Sequence, residues 1–130
     1  MFGKVIVALA ACAAFAAPFA LAQSGTEKDV QITESEWGIA GVPATVKAGT
    51  QLRITVTNKG GVLHELVLEN GNCTKQCAVK LKGHNLELEN LAPGASKSAV
   101  WKLTKAGSYT FTCRKPGHWK AGMRKTFTVA

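Results

Sequence analysis

Gln51-Leu-Arg-Ile-Thr-Val-Thr-Asn58 alternates without a break. Leu52, Ile54 and Val56 fall on one side, and Gln51, Arg53, Thr55 and Thr57 on the other. Period two with β-branched residues is the pattern of a half-buried strand. Asn58-Lys-Gly-Gly61 closes it with a turn signal. The next stretch, residues 62–69, repeats the alternation with Val62, His64, Leu66 and Leu68 together. A lone histidine therefore shares its face with apolar side chains.

The same period runs outward in both directions. Upstream, residues 29–36 turn Val30 and Ile32 inward, and Ala44-Thr45-Val46 is a short strand after Pro43. Downstream, residues 85–91 alternate Leu86, Leu88 and Asn90 against Asn85, Glu87 and Glu89. Residues 98–103 place Ala99, Trp101 and Leu103 on one parity. Residues 108–113 do the same with Tyr109, Phe111 and Cys113, and residues 123–129 with Met123, Phe127 and Val129. Lys125 breaks the last pattern and marks a strand end or a bulge. Pro93-Gly94 and Ala106-Gly107 are turns. Seven or eight short strands with turns between them predict an all-β antiparallel sandwich. Residues 70–83 escape the pattern and read as an excursion with a turn of helix.

The 130-residue chain begins with a leader-like segment. Lys4 supplies the positive end, residues 5–17 an uncharged apolar run, Pro18 a break, and Ala20-Leu21-Ala22 a small-x-small cleavage site. The expected organisation is a signal peptide over residues 1–22 and one domain over 23–130, in a periplasmic or otherwise exported protein. Two alternatives use the same residues. Leu9-Ala10-Ala11-Cys12 resembles a lipobox, which would place a lipid anchor at Cys12, and residues 5–22 are marginally long enough for an uncleaved anchor. No stable membrane insertion is expected after cleavage.

Without its leader the chain keeps 15 basic residues against 8 acidic ones, a net charge of +7. A basic surface favours acidic partners. No basic stripe interleaved with aromatics is present, and export argues against a chromosomal role, so nucleic acid is not an expected partner. Export also implies an oxidising compartment. Of the cysteines beyond the leader, Cys73 and Cys77 can close a disulfide if their segment curls. The alternative is a free Cys-x-x-x-Cys pair that binds Cu(I) or exchanges thiols.

Cys113-Arg-Lys-Pro-Gly-His118-Trp-Lys-Ala-Gly-Met123 carries the chemistry. Cys113 ends an inward-facing strand. Pro116-Gly117 turns the chain so that His118 returns toward the same point, and Met123 opens the last strand pointing inward. With His64 they make one thiolate, two imidazoles and one thioether, the donor set of a blue-copper electron-transfer site. Each residue alone has a plainer reading: a buried Cys, a satisfied core His, a core-filling Met. Structural zinc prefers four strong ligands, and a thioether is a poor one. His84, after Gly83 in a basic stretch, reads as an exposed loop residue, with weak copper capture as its alternative.

The loop around these residues is one-sided in charge. Arg114, Lys115, Lys120, Arg124 and Lys125 occur there with no acid. A solvated loop is one reading. The other is a docking face for an acidic patch on a redox partner, where long-range attraction speeds encounter. Trp119 is expected at the contact rim or over the His118 edge.

These residues resemble the cupredoxins, the small blue-copper proteins that include plastocyanin, azurin, auracyanin and sulfocyanin. The resemblance rests on Asn58-Lys-Gly-Gly-Val-Leu-His64-Glu, Leu91-Ala-Pro-Gly94, Gly107-Ser-Tyr-Thr-Phe-Thr-Cys113 and Pro116-Gly-His118-x4-Met123. It implies a Greek-key β-sandwich with one copper ion at one end. It also implies that His64, Cys113 and His118 bind equatorially and Met123 axially. The chain departs from plastocyanin and azurin at Glu65, where they carry Asn, and from the plastocyanin pattern at Cys73 and Cys77. The expected function is a monomeric one-electron carrier, not an enzyme, serving a cytochrome or oxidase. The alternative is a periplasmic copper-handling protein that binds, tolerates or delivers copper.

Overall fold

The computed structural model describes residues 26–130, so the predicted leader and its Cys12 lie outside the described residues. These residues form eleven strands and one turn of helix, joined by loops. They are β1 (Glu27–Ser35), β2 (Gly38–Ala40), β3 (Thr45–Val46), β4 (Gln51–Asn58), β5 (His64–Asn70), β6 (Lys80–Leu81), β7 (His84–Asn85), β8 (Glu87–Leu91), β9 (Ser96–Lys102), β10 (Gly107–Thr112), α1 (His118–Ala121) and β11 (Arg124–Val129). One sheet runs β2-β1-β4-β9 and the other β3-β11-β10-β5-β8, with β6 and β7 paired separately. Among the described residues, no helix is long and apolar enough to cross a membrane.

The two sheets close on the parities read from the sequence. Val30, Ile32, Leu52, Ile54 and Val56 from one meet Leu66, Leu68, Phe111, Phe127 and Val129 from the other, all buried. Phe111 lies at the centre of a stack, 5.1 Å from Phe127 and 6.4 Å from Trp101 between ring centroids. Aromatic contacts of this kind add to the area they bury.

The expected antiparallel pairing fails at two places. β1 pairs β4 in parallel, and β3 pairs β11 in parallel. Alternation of side chains is the same in either direction, so the pattern carries no pairing sense. The sense is set by connections that pass between the sheets. Two further expectations are corrected. Val62 belongs to the loop before β5 and is 40% exposed, because the strand begins only at His64. Asn90 is exposed rather than inward, with φ +51. It lies in an irregularity of the β5–β8 ladder, where His64 pairs Leu91 but Leu66 pairs Leu88. The extra residue on β8 shifts the parity by one, and asparagine tolerates the left-handed backbone there.

Residues 70–83 do not form the expected helical turn. They make a loop closed by a Cys73–Cys77 disulfide, with Cα atoms 6.2 Å apart, followed by the β6–β7 hairpin. His84 is exposed, in β7. Lys125 pairs Phe111 without a register break and is exposed, so it marks the open end of β11 rather than a bulge.

Candidate metal centre

Cys113 follows β10 on the inward parity of Tyr109 and Phe111. Its N–H donates to the Met123 carbonyl at 3.0 Å, which extends the β10–β11 ladder by one step. Directly opposed residues of an antiparallel pair project their side chains to the same face. Cys113 and Met123 are both fully buried. Between them the chain makes a compact loop. Gly117 adopts φ +81, a conformation costly for any residue with a Cβ, and the single turn α1 starts at His118. The Met123 N–H then donates to the His118 carbonyl at 3.1 Å. The backbone alone therefore ties three of the four predicted residues together.

His64 arrives from β5, placed by the loop before it. The buried Asn58 side chain holds that loop. Its amide donates to the carbonyls of Val62 at 2.7 Å and Leu91 at 2.8 Å, and its oxygen accepts the Gly60 N–H at 2.8 Å. The Asn58 backbone also bonds Ala95 and Gly94, so the first two of the four resemblance motifs meet at one residue.

The result is a convergence of donor atoms. His64 Nδ1, His118 Nδ1 and Cys113 Sγ are separated by 3.2, 3.3 and 3.9 Å. The circle through three atoms so spaced has a radius of about 2.0 Å. First-row metal bonds have that length to imidazole, ~2.0–2.1 Å, and slightly more to thiolate, ~2.3 Å, taking zinc as the measure. Two imidazole nitrogens face each other at 3.2 Å and can share only one proton; a cation satisfies both together with the sulfur. The donor set thus fits a metal ion, and its softness fits copper.

The electrostatics agree. Burial pushes the Cys113 thiol up, against the pull of the Lys115 and Glu65 backbone N–H groups. A metal must displace that proton to bind. Burial, and then the neighbouring His64 ring, hold His118 below the ordinary imidazole value, which keeps it neutral as a ligand must be.

Several partners were missed by sequence reasoning. His64 Nε2 lies 3.0 Å from Glu36 Oε1, on the turn between β1 and β2. Trp37 packs edge-on against His118, with ring centroids 4.9 Å apart. Trp119, expected at the contact rim or over the His118 edge, has the guanidinium groups of Arg124 and Arg114 over its ring, 4.2 and 5.0 Å from its centroid. Glu65 accepts the Arg114 backbone N–H at 3.1 Å, which ties β5 to the segment following Cys113. No local pattern announces Glu36 or Trp37, because each acts across the fold.

The basic loop is less available than its sequence suggests. Arg114 turns inward onto Glu69, and Lys115 Nζ lies 3.5 Å from Glu65. Lys120, Arg124 and Lys125 remain exposed.

Comparison with known proteins places this geometry. The family of copper-binding proteins described as plastocyanin/azurin matches residues 26–130. The copper-resistant cuproprotein CopI of Rubrivivax gelatinosus is 36% identical over 92 residues, covering 61% of this chain and 52% of CopI. Auracyanin-B of Chloroflexus aurantiacus is 27% identical over 119 residues, covering 78% of this chain and 51% of that protein. The chain thus spans about half the length of these relatives. A solved structure of auracyanin B superposes with a TM-score of 0.65 at 25% identity, covering 83% of this chain and 91% of that one. Reduced rusticyanin shares the fold with a TM-score of 0.60 at 19% identity, covering 82% and 81%. With the family matching nearly all of the described residues and the donor atoms converging at one end of the sandwich, the chain belongs to the plastocyanin/azurin family of copper-binding proteins, the cupredoxins.

Proposed function

We propose that the chain is a mononuclear type 1 copper protein that carries single electrons between redox partners, with His64, Cys113, His118 and Met123 as ligands. The observation that carries this reading is the spacing of three buried or half-buried donor atoms around a point about 2.0 Å from each, with Met123 opposed to Cys113 in the backbone ladder. Copper bound there supplies a reversible one-electron couple. The chain supplies the rest. Its sheets keep water from Cys113 and Met123, and its paired loops hold the donors against rearrangement between oxidation states. His118, half-buried beside exposed Trp37, is the edge nearest solvent.

The same end of the molecule offers a contact face. Trp37, Val62 and Leu63 are 47, 40 and 41% exposed, and the loops bearing them are joined through Glu36. Lys120, Arg124 and Lys125 are exposed on the ligand loop and on β11 just beyond it. An apolar centre with basic residues nearby suits transient docking to an acidic patch on a cytochrome or oxidase. Export to an oxidising compartment is in keeping with the Cys73–Cys77 disulfide.

A second reading is copper handling, favoured by the 36% identity to a protein named for copper resistance. Delivery calls for exposed, exchangeable ligands. Here Cys113, His64 and Met123 are buried and Met123 is the one methionine beyond Met1, which supports the carrier.

Titration of the protein with Cu(II) beside Cys113→Ser tests the assignment. The expected outcome is intense visible absorption from a thiolate–Cu(II) bond in the native chain and its complete loss in the variant. Copper that stays bound under a competing chelator while exchanging electrons rapidly supports the carrier. Copper that passes readily to an apo acceptor supports handling.

A further inference from the structure

Glu36 lies outside every motif that announces the copper centre, yet its carboxylate meets the centre's most buried histidine. Oε1 is 3.0 Å from His64 Nε2, the ring nitrogen directed away from Cys113 and His118. The same carboxylate accepts the N–H of Gly61 at 3.0 and 3.1 Å through its two oxygens, and that of Val62 at 3.2 Å. The approach is made possible by Gly60. A Cβ at that position would lie 2.2 Å from Glu36 Oε1, well inside contact distance. The cradle is therefore shaped for this carboxylate. The carboxylate thus sits among N–H groups that it can only accept from, the surroundings suited to its charged, acceptor-only form.

A neutral imidazole carries one proton. A carboxylate at Nε2 keeps the proton there and leaves the Nδ1 lone pair facing the other donors. Histidines that bind metals are commonly oriented by such a partner, which also makes the ring a stronger donor.

We infer that Glu36 is a positioning residue of the copper centre: it sets the tautomer and orientation of His64 and places a fixed negative charge one ring away from the metal. The inference rests on His64 being a ligand. It gives the turn between β1 and β2 a role in tuning the centre, since a nearby negative charge favours Cu(II) over Cu(I).

Glu36→Gln and Glu36→Ala separate this role from simple stapling of the Gly61–Val62 loop. Glu36→Gln keeps the volume and one acceptor oxygen but removes the charge. Both variants are expected to have a more positive reduction potential than the native chain, and Glu36→Ala to lose about 10–100-fold in copper affinity. Gly60→Ala, which displaces the carboxylate without deleting it, is expected to shift in the same direction. In the metal-free protein, nitrogen NMR should find the His64 proton on Nε2 in the native chain and a mixture of tautomers in Glu36→Ala. If Glu36→Ala does not fold, the potential of Glu36→Gln and the tautomer in Gly60→Ala decide. Native potential and native copper affinity in the folded variants, with the His64 proton still on Nε2, would overturn the inference. Failure of the native chain itself to bind copper would instead sink the ligand assignment, and the metal-free tautomer would still report whether Glu36 holds the ring.

Discussion

Two carboxylates are sealed into the sandwich, and their surroundings are opposite. Glu69, on β5, has no exposed surface and is met by the Arg114 guanidinium through two hydrogen bonds of 2.8 and 2.7 Å. Arg114 goes on to bond the Cys73 carbonyl at 2.9 Å, so the disulfide loop, β5 and the residue after Cys113 form one network. Glu34, on β1, is equally buried, yet neither of its oxygens has a partner among the described residues. Burial, helped by the Glu65 charge, pushes its pKa up to about 8. One acid is braced by an ion pair through the residue after Cys113, and the other stays protonated. A buried ion pair is costly to break from one side only, whereas a lone buried acid resists ionisation.

The largest expected effect comes from breaking the braced side. Glu69→Ala leaves Arg114 a half-buried cation without its partner and should cost about 3–5 kcal/mol in denaturant unfolding. A loss near zero would mean that Arg114 finds water at no cost, and the contrast with Glu34 would dissolve.

The unpaired side is tested by pH. The folded chain keeps a proton on Glu34 that the unfolded chain releases above the ordinary 4.5. This contribution is therefore full below that value and is lost as pH rises toward about 8, with a slope of up to about 1.4 kcal/mol per pH unit. Glu34→Gln should abolish the slope in the metal-free protein, measured by unfolding at several pH values. Equal slopes in the two proteins would show that Glu34 is solvated after all.

The smallest effect is expected from the disulfide. Its loop spans only four residues, so replacing Cys73 and Cys77 by serine should cost about 2 kcal/mol of chain entropy. A much larger loss, matching that of Glu69→Ala, would show that the loop stabilises chiefly by presenting its carbonyls to Arg114.

Much of this was readable in advance, for a physical reason. The inward parity of β4, β10 and β11 follows from a period of two, which any half-buried strand must show. That parity carried Cys113 and Met123 to the interior. The short interval from Cys113 to His118 and Met123 ties the backbones of three candidate donors together through local geometry. His64 was legible as a histidine on an apolar face. Glu34 has a weaker signal of the same kind: it continues the parity of Val30 and Ile32. The slip at Asn90 could not be read, because a bulge is a mismatch between two strands and appears in neither alone.

By itself, then, the order of residues determined the strands, their buried faces and the identity of the four candidate donors, since these depend on neighbours a few positions apart. The tertiary structure decided what depends on remote approach. It paired β1 with β4 in parallel, turned Arg114 away from solvent, set Trp37 rather than Trp119 against His118, and brought Glu36 to His64 across 28 residues. Such contacts are chosen by the packing of whole sheets, and a local pattern of side chains carries no record of which distant loop will close over it.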